Sequence, residues 1–509
     1  MTAAAPARPV TARAFGLTPL PLLRLLRIEL RRSTMPWLLP LIAALFWFDS
    51  YRPSTGMPPL YVLRTFWNMG QGHTIIDFGP FVAGAAAWTG SRDGRRRTAD
   101  LVAGTARPRW AAQLAAWAAA AIWAVAAYLA FTGAMFAAYA GQGVRGQPPW
   151  WWAAAGAAAV AAFSAAGFAA GAYWPSRFAA PLAAFGGFLA MVMSSQTGFR
   201  DTTGWALILP TDSNGNFQPD SGLLYPWLPD LPIARIMLLA GITMAALGLT
   251  GVRVRGDGPR MRLLAAAVTA AGVAAAGTAV GLAGTARLSA HGIVIPALHD
   301  AASDRPFRYA PACGQAAGVP VCVNPAYRRW LPDVTAALGP VFGEVAGLPG
   351  APARAIQVGA VYDSADGGGG QPMTIGGRPP VLLLPLGAFG LPGAPGTTDP
   401  FFAFQLRLFA VHAFTGAGAA AGTAAQRAVQ AALLHGAGVP FARQPSLLSS
   451  GGLPSWAGAA GNGGSGVAQG PVYDAARRLA ALPAAARHAW LAAHLAALRS
   501  GQLTLARLP

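Results

Sequence analysis

Lysine is absent from this chain. All 37 basic residues are arginine, and that omission removes several chemistries. A Walker A loop needs lysine on the β- and γ-phosphates, a protein kinase needs one on its third strand, and Schiff-base catalysis needs a primary amine. Charge of any kind is scarce, at 11% of residues against about 25% in an ordinary soluble chain. Neither H-E-x-x-H nor G-x-S-x-G occurs, so the zinc-protease and α/β-hydrolase signatures are missing too. Cysteine appears twice, as Cys313 and Cys322, with no C-x-x-C or H-x-x-x-H nearby. A four-ligand zinc site is therefore not expected.

What fills the space is apolar residues, 54% of the 509-residue chain. A span needs about 20 mostly apolar residues, and seven segments qualify, at about 35–51, 73–91, 110–140, 150–173, 178–196, 231–251 and 262–286. The seventh is rich in Ala and Gly, which suits close packing through small residues or a buried soluble helix. The net charge of +19 does not read as a nucleic-acid surface, because the arginines flank apolar spans instead of gathering on one polar face. They suit anionic headgroups and topology control better. Counted by loop, seventeen arginines fall on the N-terminal side of the spans and four on the other. Arginine excess marks the cytoplasmic side. The expectation is a multi-pass plasma-membrane protein with its N-terminus inside and everything beyond about residue 287 outside. The first span is followed by Phe48-Asp49-Ser50-Tyr51-Arg52 and no small-residue cleavage site, so it reads as an anchor.

In such an outer region the compartment lets Cys313 and Cys322 bond; the alternative is two buried thiols. His73 and Asp77 fall within the second span. An intramembrane acid is a functional candidate by default, although both lie near the span's outer end, where water reaches. Between the fifth and sixth spans, residues 205–210 and 223–228 are apolar enough to dip into the outer interface, with Trp and Tyr suited to that depth. The intervening Asp/Asn/Gly stretch, 212–220, lacks the glycine and glutamate of a calcium loop and reads as a turn.

Two elements face the expected cytoplasm. Residues 20–33 alternate leucine and arginine as an amphipathic helix. The loop after the second span runs Ser91-Arg92-Asp93-Gly94-Arg95-Arg96-Arg97-Thr98-Ala99-Asp100-Leu101-Val102, then Arg107-Pro108-Arg109-Trp110. Asp100-Leu101-Val102 suggests one short helix, Gly104-Thr105 breaks it, and Pro108 opens the next. Together these features resemble a type-2 ABC transporter permease, of an actinobacterial kind with an added C-terminal outer domain. The loop is similar to that family's acid, Gly-Thr, acid with two aliphatics, then Pro with basic residues. Asp93, Asp100-Leu101-Val102 and Arg107-Pro108-Arg109-Trp110 occupy those places; Asp stands for the usual Glu, and Arg97-Thr98 for Gly-Thr.

The resemblance covers about residues 20–252. It implies a coupling helix made of Asp93, Arg95, Arg96, Arg97, Thr98, Asp100, Leu101, Val102, Pro108 and Arg109, docked on a separate ABC ATPase subunit. It also implies a homodimer, or a heterodimer with a second permease, and membrane lipid around it. ATP would sit on the partner and no cofactor on this chain. Such families export lipids, polysaccharides, peptides or drugs.

The expected architecture is a cytoplasmic amphipathic helix over 1–34, an all-α six-span permease core over 35–252, a cytoplasmic loop and seventh span over 253–286, and an α+β extracytoplasmic domain over 287–509. In that last domain helices are expected near 331–346, 401–416, 422–437, 471–481 and 484–499, and strands near 355–362 and 381–386. Residues 321–327 read as a turn held by the cysteines. His412, His435, His488 and His494 lie in helical stretches without an adjacent acid, which favours packing roles over catalysis. Two rival readings remain: a polytopic glycosyltransferase using Asp49, and a membrane-anchored sensor or binding protein.

Overall fold

The computed structural model describes residues 19–46, 73–96, 108–140, 149–200, 223–254, 257–289, 292–358, 375–376, 379–386, 389, 400–416, 422–444 and 470–509. Among them, each of the seven apolar segments contains a helix. After the amphipathic α1 (Pro19–Arg32) come α2 (Met35–Phe46), α3 (His73–Gly90), the one-turn α4 (Arg92–Arg95), α5 (Arg109–Ala140), α6 (Trp150–Tyr173), α7 (Ala179–Arg200), α8 (Asp230–Arg253) and α9 (Pro259–Ala283). Four of these, α5, α6, α8 and α9, are long and apolar enough to cross a membrane. The apolar stretches Met35–Ala44 and Ala179–Met193 are shorter.

Small residues set the helix packing. Gly167 and Gly171 of α6 lie one turn apart, and a Cβ on either would strike the backbone of Ala83 or Ala87 on α3. The seventh segment behaves the same way. A Cβ on Gly241 of α8 would come within 2.6 Å of the Gly272 carbonyl oxygen on α9, so the two backbones touch as small-residue membrane contacts do. Only 17% of the apolar window of α9 is buried, with Leu263 and Val273 standing well exposed. A buried soluble helix would hide that surface, and α9 leaves it open.

The C-terminal part is α+β. A short hairpin, β1 (Arg287–Ser289) with β2 (Gly292–Val294), follows α9. A five-stranded sheet is then built from β3 (Ala312–Ala316), β4 (Val319–Val323), β5 (Arg354–Gln357), β6 (Ile375–Gly376) and β7 (Val381–Leu384), in the order β3-β4-β5-β7-β6. The central pairings β4–β5 and β5–β7 are parallel and the two edges antiparallel. Among the described residues five helices accompany the sheet: α10 (Leu331–Val345), α11 (Pro400–Thr415), α12 (Ala424–Gly436), α13 (Pro471–Ala481) and α14 (Ala484–Arg499). Apolar residues of these helices, with Trp330 just before α10, form one continuous core that includes Phe342, Phe402, Phe414, Leu491, Leu495 and Leu498.

Two expectations change here. Residues 321–327 are not a turn: Val321 to Val323 close strand β4, and Pro325–Trp330 forms a 3-10 helix opened by the Asn324 side chain, which accepts from the Ala326 N–H at 2.9 Å. Leu223 and Leu224 do not dip into a membrane interface. Both are buried in the core of the C-terminal domain, and the Leu224 carbonyl accepts a hydrogen bond from the Phe307 N–H at 2.8 Å. The domain supplies an apolar pocket that lipid would otherwise have to provide.

Candidate functional site

The expected coupling surface lies where α3 ends. Residues His73–Gly90 form one continuous helix, and the chain then turns sharply into α4. Ser91 is fully buried at the corner, and its hydroxyl donates to the Trp88 carbonyl at 3.1 Å. Arg95 folds back over this corner. Its Nε donates to Ser91 Oγ at 3.0 Å, its Nη2 to the Trp88 carbonyl at 3.0 Å, and its guanidinium lies 3.5 Å from the Trp88 ring centroid. Arg95 therefore shapes the corner. Asp93 is half exposed and pairs with Arg92 Nε at 3.4 Å, while Arg96 points into the open.

Sequence reasoning missed a two-bond contact at this corner. Arg92 reaches across to α1 and grips Glu29 with both terminal nitrogens, Nη1 to Oε2 at 3.0 Å and Nη2 to Oε1 at 3.1 Å. A parallel two-bond fork fixes orientation as well as distance. The Trp123 indole N–H on α5 donates to the Leu30 carbonyl at 3.0 Å, which holds α1 from a second side. The opposite stripe of α1, with Leu23, Arg24, Arg27, Ile28 and Arg31, is exposed. That pairing of apolar and basic residues suits a membrane–water boundary.

Arg109, just after Pro108, has a different partner. The Asp257 carboxylate, from the loop between α8 and α9, accepts the backbone N–H groups of Arg109 at 2.8 Å and Trp110 at 3.0 Å. It supplies from a distance the cap that a residue preceding the helix usually provides, and it places a negative charge at the helix's positive end. Arg97, Thr98, Asp100, Leu101, Val102 and Asp49 lie outside the described residues, as do residues 205–210, the stretch 212–220 and the side chains of His73 and Asp77.

At the far end of the helices is a second polar cluster that sequence reasoning also missed. Asp230 opens α8 and is fully buried. Its Oδ2 accepts the Ile295 N–H at 2.9 Å and lies 3.1 Å from His299 Nδ1. The other ring nitrogen, Nε2, lies 3.1 Å from Asp304 Oδ2. The hydrogen bond to Asp304 raises the His299 pKa; desolvation opposes it, and the attraction of both carboxylates adds to it. Deeper on α8, Arg235 is wholly buried, with its guanidinium 5.1 Å from the Trp152 ring centroid on α6. Around this cluster Trp152, Leu231, Ala234, Ala279, Ile293 and Ile295 pack together. Trp227 touches both that group and the core of the C-terminal domain. An arginine at the fifth residue of an apolar span was the available signal, since buried intramembrane charge is costly and rarely idle.

In the C-terminal domain, Cys313 and Cys322 form a disulfide across paired positions of β3 and β4. The four helical histidines are engaged locally. His435 stacks on Phe441, His488 Nε2 lies 2.7 Å from the Ala346 carbonyl, and His494 stacks on Trp490. His412 is buried, and desolvation lowers its pKa to about 4. Among the described residues, no three His, Cys, Asp or Glu side chains gather as a metal site. No family model, curated protein or solved structure matches this chain.

Proposed function

We propose that this chain is the transmembrane permease subunit of an ABC exporter, driven by a separate ATPase. The observation that carries the proposal is the Arg92–Glu29 fork. It clasps the basic amphipathic α1 to the one-turn helix after α3, at the arginine-rich end of the bundle. A soluble motor needs a protruding element that cannot slide when pushed. Here α4 is tied to α1 by the fork, and α1 to α5 by Trp123. Force applied near Asp93 and Arg96 would therefore pass into α3 and α5 together.

The arginine bias supports placing this corner in the cytoplasm, with the C-terminal domain outside and the disulfide in an oxidising compartment. The permease would work as a homodimer or with a second permease, surrounded by lipid. ATP would be hydrolysed on the partner, consistent with the lack of any lysine for a Walker A loop. The C-terminal domain, joined to α8 through Leu223, Leu224 and Trp227, would gate or receive the exported cargo.

The test is purification of the tagged full chain from native membranes, with identification of whatever comes along. An ATPase carrying a Walker A motif, retained by the wild type and lost in an R96E/D93K variant, is the expected result. A folded wild-type protein that brings no ATPase, or variants that hold it equally well, would overturn the proposal.

A further inference from the structure

Residues 295–304 strap the C-terminal domain to the far end of α8, and His299 sits at the centre of the strap. Two carboxylates approach its ring from opposite sides. Asp230, from α8, is 3.1 Å from Nδ1 and has no exposed side-chain surface. Asp304, on the 3-10 turn Ala301–Asp304, is 3.1 Å from Nε2 and 44% exposed. An ionised carboxylate only accepts hydrogen bonds, and a neutral imidazole has a single N–H. Both contacts are hydrogen bonds at once only when the ring carries two protons. With one proton, a ring lone pair faces a carboxylate oxygen, and one contact turns repulsive.

We propose that His299 is a proton-operated latch between helix α8 and the C-terminal domain. The imidazolium ties Asp230 to Asp304, and loss of its second proton frees Asp304. Burial decides which side lets go. Asp230 is sealed from water, and a buried carboxylate deprived of its donors is expensive, so it keeps the remaining ring N–H together with the Ile295 N–H. Asp304 has water available and needs no replacement partner.

Among the described residues, few other charged groups flank this ring, Arg305 beside Asp304 being one. From α8 come Asp230 and, farther along, Arg235, which lies over Trp152. The turn contributes Asp304 and Asp300, and the Asp300 carboxylate is occupied by the Ala302 N–H at 2.9 Å. Strand β1 brings Arg287, β2 has no titratable side chain, and the last turns of α9 have none. The raised His299 pKa agrees with the geometry. The latch is closed in acid and opens as pH rises through that raised value. It rests on this junction alone and stands whether or not an ATPase drives the chain.

The experiment is amide hydrogen exchange across residues 301–305 of the full chain in lipid nanodiscs, corrected at each pH for the intrinsic rate. In the wild type, protection of the Ser303 and Arg305 amides should fall several-fold between about pH 6 and 9. H299R, which is permanently cationic, should keep protection at every pH. D304N changes a partly exposed group, so the fold is retained, and it should abolish the pH dependence. Carbon-13 histidine spectra should place the His299 midpoint above the ordinary value of about 6.5, moving down in D304N. Protection that ignores pH in the wild type, or a pH response that persists unchanged in D304N, would overturn the latch.

Discussion

Arg92 and Glu29 are separated by 63 residues and face each other as a planar fork at 3.0 and 3.1 Å. Neither is fully exposed: 28% of the arginine side chain and 13% of the glutamate reach solvent. A pair so placed is worth more than a surface ion pair, and removing one partner strands a half-buried charge. We expect R92K to fail despite keeping its charge, because an ammonium cannot reproduce the two-bond geometry. E29Q should cost about 1–3 kcal/mol in local stability, read as faster hydrogen exchange over Pro19–Arg32. The swapped pair E29R/R92E should recover part of the loss. Equal exchange in wild type and E29Q would show that α1 is held by other contacts.

The α8–α9 contact makes a prediction in which sign, not size, decides. Gly241 and Gly272 meet backbone to backbone, with a Cβ on Gly272 coming 2.5 Å from the Ala245 nitrogen. Gly277, on the same α9, has nothing within 4 Å of a Cβ. Alanine in an open helix position gains about 0.5–1 kcal/mol over glycine, whereas forced overpacking costs about 1–3 kcal/mol. G241A and G272A should lower the melting temperature in detergent, and G277A should leave it unchanged or raise it. A destabilising G277A, or neutral G241A and G272A, would refute the contact.

Hydropathy located the long helices well, because a segment such as 150–173 has no polar face to confuse with anything else. Local punctuation located the C-terminal helices: Pro483 precedes α14, and Gly501, at φ 72°, follows it. What stayed hidden were pairings without a local signature. The β3–β4 hairpin turns through Ala317 and Gly318, both at positive φ, 48° and 83°. Asparagine or aspartate would have announced that turn; alanine, strained there, conceals it. Asp257 capping α5 joins residues 148 apart, and Asp230 reaches His299 over 69, so no periodicity records either. Leu223 and Leu224 read as apolar, but sequence alone does not distinguish a protein pocket from a bilayer as their surroundings.

The disulfide can report both stability and sidedness. Cys313 and Cys322 are paired residues of the β3–β4 ladder. Closing so short a loop is worth about 2–3 kcal/mol by loop-entropy reasoning. C313S/C322S should melt lower than the wild type, and reductant should lower the wild type toward it. In intact cells a maleimide should label neither cysteine before reduction. Immediate labelling of both with no reductant present would mean that the bond does not form, and failure of a membrane-impermeant maleimide to label either cysteine after reduction would weaken the extracytoplasmic placement.

His412 predicts how the C-terminal domain responds to acid. Its side chain is 6% exposed within the helical layer, and desolvation holds its pKa at about 4. The unfolded chain takes up that proton near the ordinary value of about 6.5. Between those values the unfolded state binds more protons than the folded one, so stability falls as pH drops. Across that window the loss is on the order of 3 kcal/mol. Below about pH 4 both states carry the proton and this contribution levels off. His299 works in the opposite sense, because its raised pKa adds stability that is lost as pH rises, so the two histidines are separable in one titration. Chemical denaturation of the full chain from pH 7 to 4 should show a decline that H412Q largely removes, with the alkaline behaviour untouched. If H412Q declines as steeply as the wild type, the acid sensitivity belongs to other groups and the buried neutral imidazole is not its source.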